Sequence, residues 1–203
     1  MKPITEYGFR QITGRFVILE AENPHIIDPG YDLFVAYGYI DMEAGISFRI
    51  YGGYKDENID PFQTKSITIR YSPDIRLDLR LDLYDSLTEE MREFARNIEE
   101  IYTPDWIIPV RKNTEIDKVR SEQFPDDMLI PAQTINDGKR VGEYLWFRPT
   151  ETVDNYLVAE SLEDGKYISM GEEVAVFVVP GKDEYSVIAT TNDWLEWFNN
   201  NHN

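Results

Sequence analysis

The strictest pattern in the chain is an alternation of apolar and charged residues between Ile75 and Leu83. The apolar positions are Ile75, Leu77, Leu79, Leu81 and Leu83, and the charged positions between them are Arg76, Asp78, Arg80 and Asp82. Because successive side chains of a strand point to opposite faces, this pattern predicts a strand with one aliphatic face and one charged face. The charged face is typical of the solvated side of an antiparallel sheet; a recognition face for another protein is the alternative.

An amphipathic helix is predicted directly after this strand, over residues 86–102. Ser86 and Glu89 have the spacing of a capping box, in which each side chain accepts a hydrogen bond from a free backbone amide. The apolar residues at helical spacing are Leu87, Met91, Phe94, Ala95, Ile98 and Tyr102. Thr103-Pro104 ends the helix, since the residue before a proline is forced out of the α region.

Segments on both sides of the helix have the composition and the flanking turn residues of β-strands. These segments are 15–21, 33–40, 46–51, 66–71, 129–135, 140–147, 174–179 and 185–190. Residues 156–162 fit a strand and a helix equally, and Asn192 is placed to cap a short last helix. We therefore expect an α+β fold, mainly antiparallel β-sheet, with one central amphipathic helix (86–102) and a short C-terminal helix.

Residues 103–140 are the least regular part of the chain. Five prolines fall between Pro104 and Pro149, and the mixed charges of residues 111–123 show no clear period, although a short helix fits 116–123. Such a segment is typical of a linker or of a long excursion over a sheet. We therefore divide the chain into a β-rich subdomain with the central helix, 1–110, and an acidic β-rich subdomain, 111–203. One continuous domain is the alternative.

The residue types that most often carry catalysis or bind metals are scarce. The chain has no cysteine and two histidines, His25 and His202, so thiolate chemistry and a three-histidine metal site are excluded. It contains neither a GxxxxGK[ST] nor a GxGxxG phosphate-binding motif. Asp56 begins a pattern of alternate oxygen ligands, but Pro61 and Ile67 occupy positions where a calcium loop needs glycine and glutamate. No catalytic residue, metal site or cofactor is therefore predicted.

The sequence predicts a cytoplasmic protein that does not contact membranes. Residues 1–6 lack the apolar stretch of a secretory signal. No window approaches the roughly 18 apolar residues that are needed to cross a bilayer.

Charge is the abnormal feature of the composition. The net charge is −18, and residues 151–203, with two basic and eleven acidic side chains, carry half of it. A field of this sign repels nucleic acid and anionic membranes and speeds encounter with basic partners. The expected partner is therefore a basic protein, with no direct binding of nucleic acid; the alternative is that the acidity only maintains solubility.

Aromatic residues are abundant, with 13 tyrosines, 10 phenylalanines and 4 tryptophans. Tyrosine and tryptophan often anchor interfaces, although they also fill cores, which is the alternative. Combining them with the acidic C-terminal quarter gives a candidate binding surface: Glu172, Glu173, Asp183, Glu184, Asp193, Trp194 and Trp197.

We therefore expect a non-enzymatic protein-binding protein, in its most specific form an immunity- or antitoxin-like inhibitor of a basic toxin or nuclease. A nucleic-acid mimic that blocks a DNA-binding protein is one alternative, and it requires a linear ridge of exposed acids. A carboxylate-based hydrolase is another, with pairs such as Glu20 and Glu22 or Glu172 and Glu173. That hydrolase requires a pocket holding two carboxylates about 5–10 Å apart.

Overall fold

The computed structural model describes residues 1–20, 24–62, 66–71, 80–181 and 185–202. The chain forms two compact units. The N-terminal unit comprises residues 1–104 and 122–124, and the C-terminal unit comprises residues 105–121 and 125–203. The subdomain boundary expected after residue 110 falls within the C-terminal unit, and the division into subdomains 1–110 and 111–203 stays a prediction.

The N-terminal unit is built on a seven-stranded antiparallel sheet. Its elements in chain order are β1 (Lys2–Pro3), α1 (Phe9–Ile12), β2 (Arg15–Glu20), α2 (Pro24–Ile27), β3 (Leu33–Asp41), β4 (Gly45–Lys55), β5 (Asn58–Pro61), β6 (Thr68–Arg70), β7 (Arg80–Leu83) and α3 (Glu89–Tyr102). The strand order is β1-β7-β2-β3-β4-β5, and β6 also pairs with β4. Residues 122–124 join this unit through β4, where the amide of Ile46 donates to the carbonyl of Gln123 at 3.0 Å.

Both faces of this sheet are covered, so side chains on both sides of its strands are buried. Helix α3 packs Met91 and Ile98 against a face that includes Phe16, Tyr37 and Tyr51. The opposite face is filled by aliphatic and phenylalanine side chains and by residues that precede β2: Ile4, Ile12, Val17, Leu19, Phe34, Ala36, Ile46, Phe48, Ile50 and Leu81. The tyrosines of β3 and β4 are therefore core residues, which agrees with the alternative that the abundant aromatic residues fill cores instead of anchoring an interface.

Helix α3 confirms the central amphipathic helix, but its predicted start is wrong. The helix begins at Glu89 instead of 86, and Thr88 is the capping residue, whose Oγ1 accepts a hydrogen bond from the amide of Met91 at 3.2 Å. Ser86 and Thr88 both carry a hydroxyl that can cap a helix. The cap at Thr88 places Glu89 and Glu90 in the first turn, where acidic side chains favour the positive end of the helix dipole.

The alternating strand is described for its last four residues, which form β7. Leu81 is fully buried, while Arg80 and Asp82 are exposed, as the alternation predicts. The prediction is wrong for Leu83, the last aliphatic position, which is 37% exposed at the end of the strand. Arg80 lies 3.7 Å from the carboxylate of Glu20 on the neighbouring strand β2, so the charged face bears a cross-strand ion pair. The predicted strand residues 75–79 lie outside the described residues.

The C-terminal unit is a closed five-stranded barrel with helices at its periphery. Its elements are α4 (Ile107–Lys112), β8 (Met128–Asn136), β9 (Lys139–Val153), β10 (Tyr156–Ser161), β11 (Glu173–Pro180), β12 (Tyr185–Thr190) and α5 (Asn192–His202). Consecutive strands pair antiparallel, and β12 closes the barrel by pairing parallel with β8. This parallel closure follows from the strand number, because the first and fifth strands of an up-and-down meander run in the same direction.

Local sequence explains two details of this unit. Asp137 and Gly138, at φ 49° and 72°, form the predicted turn between β8 and β9, and two successive positive φ angles match the twist of a hairpin. Pro109 lies in the first turn of α4, where no intrahelical partner for its missing amide is needed. The helix predicted near 116–123 is replaced by a single 3-10 turn, Asp117–Val119.

Two buried ion pairs join the start of β8 to other parts of the C-terminal unit. The Asp126 carboxylate, 2% exposed, accepts two hydrogen bonds from Arg111 of α4, with Nη2 at 2.7 Å and Nε at 3.0 Å. Asp127 accepts two from Arg148 of β9, at 2.7 Å and 2.9 Å. Burial raises the pKa of Asp127, and the two hydrogen bonds from Arg148 act in the opposite direction.

The structure confirms the α+β class, with mainly antiparallel sheet, a central helix and a short C-terminal helix. Within the described ranges, no helix is long and apolar enough to cross a membrane.

The Asp126–Arg111 pair gives a prediction for stability. We expect Asp126→Asn to lower the free energy of unfolding of the barrel by about 3 kcal/mol, because a buried guanidinium then loses its counter-charge. Urea denaturation, followed by amide exchange of β8 and β9, measures this loss. The exposed change Glu93→Gln is the control, and a loss below about 0.5 kcal/mol, which is typical of surface changes, would contradict the assignment.

A second prediction concerns the core of the N-terminal unit, where the Tyr37 hydroxyl donates to the carboxylate of Glu99. Burial and this hydrogen bond raise the pKa of Tyr37 above that of an exposed tyrosine, about 10. As pH rises, the Tyr37 hydroxyl therefore loses its proton in the unfolded chain before it does so in the folded protein. The contribution of this hydroxyl to the free energy of unfolding falls as pH rises above about 10. Tyr37→Phe should make the decline of the urea midpoint between pH 9 and 11 shallower. Tyr144→Phe, on the exposed barrel surface, should leave the decline unchanged.

Candidate functional site

Helix α5 carries three of the predicted binding residues and is attached to the barrel by a threonine. The Thr191 hydroxyl donates to Thr134 of β8 at 2.9 Å and accepts from the amide of Trp194 at 3.4 Å. Thr191 therefore supplies the N-terminal cap instead of the predicted Asn192, which is the first residue of the helix. Trp194 stacks on Phe198, with ring centroids 5.1 Å apart and planes at 14°. Its indole nitrogen is buried and has no hydrogen-bond acceptor in the described part of the chain. Trp197 is half-buried on the same helix.

The predicted acidic residues fall into different environments. Glu172 is partly buried, and its Oε2 accepts from the amide of Ser169 at 3.1 Å, so this carboxylate stabilises a turn. Glu173, the first residue of β11, and Asp193, in the first turn of α5, are both exposed. Neither carboxylate has a hydrogen bond or ion pair with any described residue. Asp183 and Glu184 lie outside the described residues.

Several other acids of the C-terminal unit organise the loop between β10 and β11. Glu143 of β9 accepts hydrogen bonds from the successive amides of residues 166–168, at 2.6, 2.8 and 2.9 Å. Asp164 accepts from the amide of Met170 at 2.9 Å, and Glu163 accepts from the amide of Trp146 at 3.0 Å. These three carboxylates therefore act as internal hydrogen-bond acceptors of the fold.

A groove lies on the outside of the barrel, between strands β10 and β11 and the first turns of α5. Its volume is about 320 Å³, and its lining residues are Tyr156, Val158, Glu173, Val174, Ala175, Phe177, Asn192 and Leu195. The rings of Tyr156 and Phe177 contact each other across the two strands, with centroids 5.5 Å apart. The groove therefore has a mostly apolar floor and one carboxylate in its lining, and no basic side chain lines it among the described residues.

The strand register adds further acids to the same face as Glu173. Glu160 of β10 lies directly opposite Glu173 of β11, and Glu151 of β9 lies directly opposite Val158 of the groove floor. Arg148 of β9 is the neighbour of Glu160 on its other side, but its guanidinium is already bonded to Asp127. The β10–β11 face therefore has more negative than positive charge. We call the groove together with Glu151, Glu160 and Glu173 the acidic groove.

A second cavity, of about 290 Å³, lies at one end of the barrel. Its floor includes Leu157, Val176 and Val178, which are barrel-core residues or pack against that core. Polar side chains from α4 onward and from the β9–β10 turn surround it: Asn113, Glu115, Thr152, Asp154 and Asn155. Two residues of this polar rim already have hydrogen-bond partners. Thr152 donates to the carbonyl of Trp106 at 3.0 Å. Glu115 accepts a hydrogen bond from the Tyr185 hydroxyl, which raises the pKa of Tyr185.

Strands β8 and β9 expose apolar side chains on another part of the barrel. Leu129 lies opposite Trp146, and Pro131 lies opposite Tyr144. Tyr144 is 70% exposed and Leu129 is 40% exposed. These neighbouring side chains offer apolar contact area on this part of the barrel.

The carboxylate pairs considered for a hydrolase are described only in part, and the hydrolase stays a prediction. Glu20 pairs with Arg80, and its proposed partner Glu22 lies outside the described residues. Glu172 is engaged with a backbone amide, whereas Glu173 faces the groove. Asp127, whose pKa is raised, is buried against Arg148 and lines neither cavity.

The structure thus brings one predicted residue, Glu173, to the same groove as the start of α5, where Asp193 and Trp194 lie. Sequence reasoning missed Glu151, Glu160 and the aromatic floor. A period of two was present in Tyr156, Val158 and Glu160, and again in Glu173, Ala175 and Phe177. A strand assignment for residues 156–162, next to β11, would have predicted that these side chains share the outer face of the sheet.

No protein-family model, curated protein or solved structure matches this chain.

The role of Glu143 gives a prediction for the β10–β11 loop. We expect Glu143→Ala to increase amide exchange at residues 166–168 by about tenfold or more, because three amides lose a charged acceptor. Two-dimensional NMR measures this increase residue by residue. Glu151→Ala removes the same charge from the same strand without touching the loop. Equal exchange in both variants would show that Glu143 does not hold the loop.

Proposed function

We propose that this chain is a non-enzymatic binding protein whose C-terminal unit docks a basic protein on the acidic groove. In its most specific form, the chain is an immunity- or antitoxin-like inhibitor that covers the active site of a basic toxin or nuclease. The observation that carries the proposal is the groove itself, an apolar floor bordered by carboxylates, of which Glu151 and Glu173 have no basic partner among the described residues.

Charge and shape both favour a protein partner. The net charge of −18 attracts a basic protein over a long range. The carboxylates of the acidic groove then favour a partner that places a basic side chain there. Apolar contact on Val158, Phe177 and Leu195 supplies the desolvated area that holds a complex together. The exposed apolar pairs of β8 and β9 offer additional contact area on the same unit.

The nucleic-acid mimic is less well supported by the charge arrangement. Across the strands, the order is Asp127, Arg148, Glu160 and Glu173, so that a cation interrupts the acids. A phosphate backbone has no such interruption.

The proposal is tested by comparing affinity capture from lysate of the source cell on three immobilised proteins. They are the wild type, the groove variant Glu151→Lys/Glu173→Lys, and the control Glu93→Lys/Glu100→Lys, which makes the same charge change on the exposed face of α3. Capture is performed at 50 and 150 mM salt, with far-UV circular dichroism to verify folding. We expect one basic protein to be retained by the wild type and the control and to be lost from the groove variant.

Equal retention on all three proteins would remove the acidic groove as the docking face, and retention on none would overturn the binding function. The inhibitor form is tested on the purified captured protein with a nucleic-acid degradation assay. Loss of degradation at a 1:1 ratio of the wild type, and not of the groove variant, is the expected result.

A further inference from the structure

We propose that the acidic groove is an anchor site for one arginine side chain of the partner, with its guanidinium between Glu160 and Glu173 and its aliphatic stem on the apolar floor. This inference rests on the proposed function, because it names the chemical group that a basic partner places in the groove. It extends that function by predicting arginine in preference to lysine.

The two glutamates lie side by side on one face of the sheet. Glu160 and Glu173 are directly opposite in an antiparallel pair, so their side chains leave the same face with Cβ atoms about 4.5–5.5 Å apart. A planar guanidinium presents several donors in a fixed fork and can bond to both carboxylates at once. An ammonium is a compact point charge, and it gains less from two acceptors in fixed positions.

The floor of the groove suits the rest of an arginine side chain. Val158 and Ala175, directly opposite each other, lie two residues along the strands from Glu160 and Glu173. Both line the groove with Leu195, and long cationic side chains bury their methylene stems on such apolar surface. Tyr156 and Phe177 lie a further two residues along and present aromatic surface to the partner's flanking residues.

The acidic pair is unfavourable for the isolated protein. Like charges directly opposite each other in a sheet destabilise it. Arg148, which is bonded to Asp127, lies beside Glu160 and offsets part of this repulsion. A pair of like charges that is only partly compensated inside the fold is expected at functional positions. A bound cation would remove the repulsion, so binding and stability should respond in opposite directions to the same change.

The first test is an NMR titration of ¹⁵N-labelled full-length chain with N-acetyl-arginine amide and with N-acetyl-lysine amide, at 50 mM salt. We expect the arginine probe to shift amides in residues 156–160 and 173–177 saturably, with a Kd at least threefold below that of the lysine probe. Glu173→Gln should weaken the arginine probe at least fivefold, whereas Glu93→Gln should not change it. Without a probe, Glu173→Gln should raise the urea midpoint.

Equal Kd values for the two probes, or a Glu173→Gln variant that binds the arginine probe like the wild type, would overturn the arginine anchor. A raised urea midpoint together with weakened binding distinguishes a binding role from a structural one, because loss of a structural residue lowers the midpoint. Failure here is distinguishable from failure of the proposed function. A basic protein retained by the wild type, lost from Glu151→Lys/Glu173→Lys, and retained by Glu173→Gln would keep the docking face while removing the anchor.

Discussion

The barrel unit depends on two adjacent buried carboxylates, Asp126 and Asp127, at the start of β8. Each is bonded to one arginine, Arg111 from α4 and Arg148 from β9. Arg120, 2% exposed, donates to the carbonyls of Val110 and Pro125 at 2.5 Å and thereby holds the irregular segment between α4 and β8. Apolar packing alone is weakly directional, so these paired charges supply the specificity that fixes an irregular segment against a barrel.

The acidic residues of the C-terminal quarter fall into two groups. The carboxylates of one group accept hydrogen bonds within the fold, and those of the other group do not. Glu163, Asp164 and Glu172 accept backbone hydrogen bonds in the described structure, as does Glu143 just before this quarter. Composition alone treats all of these residues as surface charge. The structure separates acids that stabilise loops from acids such as Glu173 that have no described partner, and only the second group can attract a ligand without a cost to the fold.

Features set by local sequence were predictable, and features set by distant pairing were not. The Asp137-Gly138 turn and the burial of Leu81 follow from local conformation and from strand alternation. The start of α3 was misplaced because two hydroxyl residues, Ser86 and Thr88, compete as caps. Closure of the barrel pairs Ala132 with Ala189, and no local pattern records that contact. The candidate site was predicted only in part for the same reason, because the register of β10 and β11 alone places Glu160 opposite Glu173.

The position of the acidic pair within this barrel favours a role in recognition. Strand register is fixed by the side chains inside the barrel, where Leu157, Ala159, Val174 and Val176 are buried, so the outward residues are free to vary without changing the fold. At the outward position opposite Glu160, a neutral or basic residue would relieve the repulsion, yet Glu173 stands there beside an apolar groove. Solubility would be served equally by an acid that faces no other acid. The proposed arginine anchor at this position would account for both the acidic pair and the apolar floor beside it.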